Sequence, residues 1–265
     1  MNTTGNFTEY NKQQFYENWA EAARTEPFRI EILKWKGQNL SKLYNKLDIV
    51  TKFKTIKIAE IGGAEGIVLS SFIEKLNTPL EAYNFELSKN FIDIGNKLYP
   101  NIHYINTDPT KEKIKIKFDI LILSDIIEHI ENDEYFLESC AEITNYILIK
   151  LPLENTLHTK FLRKIGKLSD LGVVHPAGHL HEYNIKTGIN LIKKQFEIID
   201  FFCEDMPFNL RPSENLTVLG KIDNRIIRRL CYYYLPGHIY SKFYDSSLFV
   251  LAKSKRINND MNYKG

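Results

Sequence analysis

The sequence predicts an α/β fold of three layers, with one mostly parallel sheet between two sets of helices. Three observations predict it. From residue 55 onward, short β-prone runs alternate with helix-periodic stretches, the pattern of successive βαβ units joined by right-handed crossovers. Two of those runs, Phe118–Leu123 and Tyr146–Ile149, are apolar almost throughout, as in strands buried on both faces of a parallel sheet. A glycine-rich turn, Gly62-Gly63-Ala64-Glu65-Gly66, stands between the first run and the first helix that follows it.

The elements follow in order. Residues 1–54 are expected to form an N-terminal helical cap. In it Phe15, Tyr16 and Trp19 share one helix face, and Thr25-Glu26-Pro27 restarts a helix with a capping residue and an early proline. Ile30, Leu33, Leu40, Leu43 and Leu47 give this second helix an apolar stripe. Ile56–Ile61 reads as the first strand. Leu69, Phe72, Ile73 and Leu76 recur at i, i+3, i+4 and i+7, which marks a helix. Ala82–Phe85 is the second strand, followed by a helix around Phe91, Ile94 and Leu98, and His103–Ile105 the third. Phe118–Leu123, a helix over residues 131–144 and Tyr146–Ile149 complete that series. Phe196–Phe202 and Leu248–Lys253 are strand-like, with an insertion at 206–246 that has helical character of its own. The main domain is therefore expected to span residues 55–255, and the polar tail 256–265 to be flexible.

Composition excludes several classes. With 265 residues the chain can bury one full core. Thirty-five basic residues against 33 acidic ones leave a charge of +2, no global field to draw in nucleic acid, which is not expected as a partner. Cys140, Cys203 and Cys231 are odd in number and widely spaced, so neither a disulfide framework nor a metal knuckle is expected. The polar start lacks a signal-peptide pattern, and no apolar run approaches the ~20 residues of a membrane helix. No membrane insertion and a cytoplasmic location are expected.

Chemistry concentrates first at Glu60-Ile61-Gly62-Gly63-Ala64-Glu65-Gly66. Glycines between a strand and a helix let the backbone approach a ligand closely, and the helix start offers free N–H groups. Glu60 would meet a ligand's ammonium group. Glu86 ends the second strand, where a carboxylate accepts ribose hydroxyls in nucleoside-binding α/β folds.

The spacing Glu-x-Gly-x-x-x-Gly resembles the first motif of the class I methyltransferases that use S-adenosylmethionine, with Ala64 in place of the usual middle glycine. The segment Phe118-Asp-Ile-Leu-Ile-Leu-Ser-Asp-Ile-Ile-Glu-His129 is similar to that family's fourth-strand segment, which runs into Asp-x-x-Glu-His. The resemblance covers residues 55–152 best. It implies a Rossmann-like sheet with an antiparallel last strand, and S-adenosylmethionine as cofactor. Glu60, Gly62, Gly63 and Gly66 would hold its methionine part, Glu86 its ribose, with Leu87 against the adenine. Asp108, in Asn106-Thr107-Asp108, would bond the adenine amino group, and Ser124 would close the fourth strand beside the cofactor. The Asn/Asp-Pro-Pro-Tyr tetrapeptide of enzymes that methylate DNA bases is missing from the sequence. The subgroup it resembles acts on small molecules, so a small-molecule acceptor is expected.

Three histidines fall within His175-Pro-Ala-Gly-His179-Leu-His181. Small-molecule members of the family carry a Gly-His-x-x-x-Phe/Tyr step on the acceptor side, which maps here to Gly178, His179 and Tyr183. A histidine near its ordinary pKa can take the proton of an acceptor hydroxyl. The candidate bases are His179, His181 and His129, in that order; an equally weighted reading makes the cluster a loop-fixing one. Asp125, Glu128 and His129 could, with His181, hold a divalent ion, as a similar element does in methyltransferases of small RNAs. A helix start beside the cofactor is the preferred reading, and no metal is predicted.

In the insertion, Arg225, Arg228 and Arg229 with Tyr232-Tyr233-Tyr234 would suit phosphate or sugar ligands. An amphipathic helix packed on its neighbours is the favoured reading, and the insertion is also where a homodimer contact would form. The expected activity is O-methylation of a small polar metabolite, with N-methylation or RNA 2′-O-methylation as alternatives. A nicotinamide-dependent oxidoreductase would need Gly-x-Gly-x-x-Gly, whereas the glycines stand at 62, 63 and 66. A non-catalytic binding domain is the remaining rival, and intact Glu60, Gly62, Gly66 and Glu86 count against it.

Overall fold

A computed structural model describes residues 28–47, 55–76, 80–108, 112–164, 178–210 and 226–256. Phe15, Tyr16, Trp19, the Thr25-Glu26-Pro27 step, His175, Arg225 and the tail past Arg256 lie outside the described residues.

Seven strands form one sheet: β1 (Ile56–Ile61), β2 (Leu80–Glu86), β3 (Ile102–Asn106), β4 (Phe118–Ser124), β5 (Thr144–Leu153), β6 (Phe196–Glu204) and β7 (Ser246–Ser254). Their order is β3-β2-β1-β4-β5-β7-β6. The pairs of β1 with β2, β2 with β3, β1 with β4 and β4 with β5 are parallel, whereas β7 runs antiparallel to both β5 and β6. The chain builds outward from β1 to β3 on one side, then returns to lay β4 on the other. That reversal between β1 and β4 is where open α/β sheets place a ligand, outside the carboxyl ends of the strands.

Helices cover both faces. On one, α1 (Arg29–Tyr44) and α2 (Ile67–Ile73) pack Leu40, Leu43, Leu69 and Phe72 against Ile58, Ile120, Ile122 and Leu251. Ile30, placed on the apolar stripe by its spacing, is half exposed at 51%. On the other face, α4 (Asp133–Ile143) and α6 (Ile185–Gln195) pack Phe136, Leu137, Cys140, Ile189 and Ile192 against Leu121, Leu123, Ile147 and Ile149. Helix α3 (Lys89–Leu98) follows β2, and α5 (Leu157–Lys164) follows β5. Side-chain caps start α3, α4 and α6. Ser88 accepts from the Phe91 N–H, Asn132 from the Tyr135 N–H, and Asn184 from the Thr187 N–H in a capping box.

Several elements differ in length from their apolar runs. Strand β5 continues past Ile149 through Lys150 to Leu153, because the lysine is buried in the strand with a carboxylate partner, Asp125. Helix α2 stops at Ile73, and Leu76 packs on the core from the turn that follows. Within the insertion lie α7 (Arg228–Tyr234) and α8 (Gly237–Phe243). Arg228 is buried and bonded to Asp205, the Tyr240 hydroxyl and the Asp245 carbonyl, so it holds the insertion together rather than facing a ligand. Arg229 instead lies over the Tyr233 ring, 5.9 Å from its centroid. Among the described residues, no helix is long and apolar enough to cross a membrane.

Candidate functional site

The bend after β1 is held in a backbone shape that few side chains tolerate. Gly62, Ala64 and Gly66 have φ of 70°, 48° and 84°. A Cβ on Gly63 would sit 2.6 Å from both Asn84 Oδ1 and Glu60 Oε2, so only glycine fits between those two groups. Ala64 is the position where the family resemblance expects glycine, and its left-handed φ gives the reason. Two side chains from β2 hold it there. The Ala64 N–H donates to Glu86 Oε2 at 2.9 Å, and Asn84 Nδ2 donates to the Ala64 carbonyl at 2.9 Å.

Glu60 lies beneath the bend with 1% exposure, and its Oε2 accepts the Leu69 N–H of α2 at 3.1 Å. Burial pushes its carboxyl up to about 8, so it keeps its proton at neutral pH. Glu86, 7% exposed, also accepts the Ser88 N–H through Oε1 at 2.8 Å. Both carboxyl groups thus converge on the bend, one from below and one from the end of the neighbouring strand. Leu87 comes directly after Glu86; its carbonyl and that of Glu86 accept from Asn106 Nδ2 at 2.9 and 3.0 Å. Asp108 lies half-buried two residues past the end of β3. Ser124 closes β4 with a buried Oγ that makes no hydrogen bond.

Helix α1 ties this region down from the outside. Arg29 makes a two-bonded ion pair with Glu65 of the bend, its second bond 2.7 Å long. Lys36 reaches Asp125 Oδ2 at 2.6 Å, and Lys150 holds the other oxygen. Burial would raise the Asp125 carboxyl, but Lys150 and then Lys36 hold it well below the usual carboxylate range. Asp125 has a left-handed backbone of its own, with φ 54°.

A second cluster stands at the ends of β4 and β5. A 3-10 turn, Ile127–His129, follows Asp125. Its Glu128 carbonyl accepts the N–H groups of Leu180 and His181 at 2.8 and 3.2 Å, which anchors the distant 178–183 loop. The loop is fixed again where Leu153 bridges Tyr183, whose hydroxyl donates to Asp133 at 2.6 Å. His179 is thereby brought against His129, ring centroids 4.8 Å apart, with Nε2 at 3.9 Å from Glu128 Oε1. Its Nδ1 contacts Glu154 Oε2 at 2.7 Å, and His129 Nδ1 contacts the Gly178 carbonyl at 3.2 Å. Burial, and next the neighbouring His179, lower the His129 pKa. Glu128 is completely buried; burial first and Asp125 second raise its carboxyl well above the ordinary value.

Of the histidines expected here, the structure brings His179 and His129 together and turns His181 elsewhere. His181 Nε2 bonds the Ile130 carbonyl at 3.0 Å. Sequence reasoning missed Asn84, Arg29, Lys36, Lys150 and Glu154. A polar residue in the apolar run of β2 was the available signal for Asn84; the others act across long sequence separations.

No family model and no curated protein matches the sequence. Solved structures do match the fold. The Haloferax volcanii protein in complex with the Trm112 methyltransferase activator aligns over 91% of this chain and 96% of its own, with 8% identity and a TM-score of 0.59. Magnesium protoporphyrin IX methyltransferase of Synechocystis, solved with bound S-adenosylhomocysteine, aligns over 94% and 90% at 14% identity and a TM-score of 0.51. The N-methyltransferase NodS of Bradyrhizobium japonicum, also solved with S-adenosylhomocysteine, aligns over 87% and 89% at 10% identity and a TM-score of 0.50. The chain has the class I methyltransferase fold, here a mixed sheet of seven strands.

Proposed function

We propose that the protein transfers a methyl group from S-adenosylmethionine to a hydroxyl of a small, polar metabolite. The observation that carries the reading is the convergence of Glu60 and Glu86 on one glycine-built bend, at the point where the strand order reverses. Here the backbone can approach a ligand, and a buried carboxylate ends the adjacent strand. In this reading Gly62, Gly63 and Gly66 lie against the methionine part, Glu86 accepts the ribose hydroxyls, Leu87 packs on the adenine, Asp108 takes its amino group and Ser124 flanks it. Glu60 supports the bend from beneath.

The reaction is an in-line displacement. Bound S-adenosylmethionine would supply an electrophilic methyl group, passed to the acceptor oxygen as its bond to sulfur breaks and a neutral thioether leaves. Alignment of the two supplies much of the acceleration. The hydroxyl proton passes to His179 Nε2, and Glu154, on Nδ1, orients the ring and stabilises the charge it gains. This pairing favours His179 over His181, whose Nε2 is engaged with a backbone carbonyl. The three cysteines are free, which suits a reducing, cytoplasmic setting.

The test has two parts. Methyl-labelled S-adenosylmethionine, offered with a panel of hydroxylated metabolites, should label one acceptor class. His179→Ala should then cut turnover by about 100-fold or more while S-adenosylhomocysteine affinity stays near wild type. Unchanged turnover would remove His179 as the base; label on amines alone would replace O-methylation with N-methylation.

A further inference from the structure

We propose that Glu128, His129 and His179 form a binding site for one divalent transition-metal cation, for which Zn²⁺ is the probe. One ligand atom from each of the three residues lies within 4.8 Å of the others. The sequence spacing allowed a different set, in which Asp125 and His181 took part, but no metal was expected from it. The structure removes both. Asp125 is bound by Lys36 and Lys150, and His181 is spent on the Ile130 carbonyl. In their place it supplies His179, delivered by a loop some fifty residues downstream that hydrogen-bonds to Glu128 itself.

Two independent features point to a cation. Glu128 is fully buried, and neither of its side-chain oxygens has a hydrogen bond. Buried polar groups in folded proteins are nearly always bonded, and a carboxyl lacking any donor is costly unless something positive meets it. The histidines, by contrast, are already oriented. His129 Nδ1 faces the Gly178 carbonyl and His179 Nδ1 faces the Glu154 carboxylate, so both contacts suit a proton on Nδ1, and Nε2 is the nitrogen that would ligate a cation. Metal-binding histidines are held in this way, with the second ring nitrogen donating to a carboxylate or carbonyl.

The geometry also suits a site that works rather than one that only stabilises. Two imidazoles and one carboxylate suit zinc, iron or manganese, and three protein ligands leave a position open. Zinc bonds of about 2.0–2.2 Å put neighbouring ligand atoms about 3.2–3.6 Å apart, so the widest pair has to draw in by up to about 1.5 Å. The site's role rests on the methyl-transfer reading, with the cation taking over from His179 the task of acidifying the acceptor hydroxyl; binding itself does not depend on that reading. With the cation present His179 is a ligand. An acceptor hydroxyl in the open position would then be acidified and lose its proton to solvent before the methyl group arrives.

The test is equilibrium dialysis of metal-stripped protein against Zn²⁺, with Co²⁺ absorption as a second readout and S-adenosylhomocysteine binding measured on the same samples. One ion should bind per chain. Glu128→Gln and His179→Ala should weaken binding by about 100-fold or more, and Glu154→Gln by about 10–100-fold. His238→Ala, which removes an exposed histidine of α8, should change nothing. Absence of saturable one-to-one binding, or wild-type affinity in folded Glu128→Gln and His179→Ala, overturns the metal site. Homocysteine-product binding without metal binding would sink this inference alone. Metal binding without product binding would instead sink the methyl-transfer reading and leave the metal centre standing.

Discussion

Replacing Glu86 by alanine probes the site at its narrowest point. The carboxylate accepts two backbone N–H groups, from Ala64 at 2.9 Å and Ser88 at 2.8 Å, and in the proposed complex it also accepts the ribose hydroxyls. A hydrogen bond to a charged group contributes about 1.5–3 kcal/mol, so losing both backbone bonds should cost about 3 kcal/mol of stability or more. The ribose contacts have a similar worth. Since every 1.4 kcal/mol is tenfold, S-adenosylhomocysteine should bind about 100-fold more weakly or worse. Glu86→Gln, which keeps the shape and one acceptor oxygen, should fall between wild type and Glu86→Ala. Titration calorimetry with S-adenosylhomocysteine measures the affinity, and thermal unfolding checks that each variant is folded at the working temperature. A folded Glu86→Ala protein that binds within about threefold of wild type would refute the placement of the ribose on this carboxylate.

Two further outcomes follow from the bend. Ala64 holds a φ of 48°, which costs an ordinary residue about 1–2 kcal/mol, so Ala64→Gly should stabilise by about 0.5–1 kcal/mol after glycine's greater unfolded freedom is counted. Denaturant unfolding checks it, and a less stable variant would contradict the strain argument. Glu60 makes a pH-dependent contribution. Its carboxyl is raised in the folded state, so between 4.5 and about 8 the unfolded chain releases a proton that the native one retains, and stability falls as pH rises through that window. At 1.36 kcal/mol per pH unit the gap gives about 5 kcal/mol as an upper bound, relative to Glu60→Gln, whose side chain mimics the protonated form. Parallel stability curves for the two proteins from pH 5 to 8 would show that Glu60 is not buried as described.

Much of the fold could be read because its signals are local. The runs around Ile58, Ile122 and Leu148 are buried on both sides and need no alternation, and the helices between them carry their own period. The glycine bend and its two acidic residues were legible for the same reason, as each carboxyl lies in the last two positions of a strand. What escaped was set by pairing across the sheet. Lys150 interrupts an apolar run and reads as a strand end, until Asp125 is seen beside it. Glu154 and His179 meet only because Leu153 bridges Tyr183. The favoured packing of the insertion's helix on its neighbours could be read, but not that Asp205 would be the partner of Arg228. Side-chain partners chosen by topology leave no trace in spacing.

The strand that comes last in the described sequence, Ser246–Ser254, does not sit at an edge but fills the gap between β5 and β6. During synthesis β6 therefore emerges with no adjacent partner, and β5 has one flank open, until the ribosome has delivered nearly all of the described chain. A truncation before residue 246 would leave two unpaired flanks at once, an invitation to self-association.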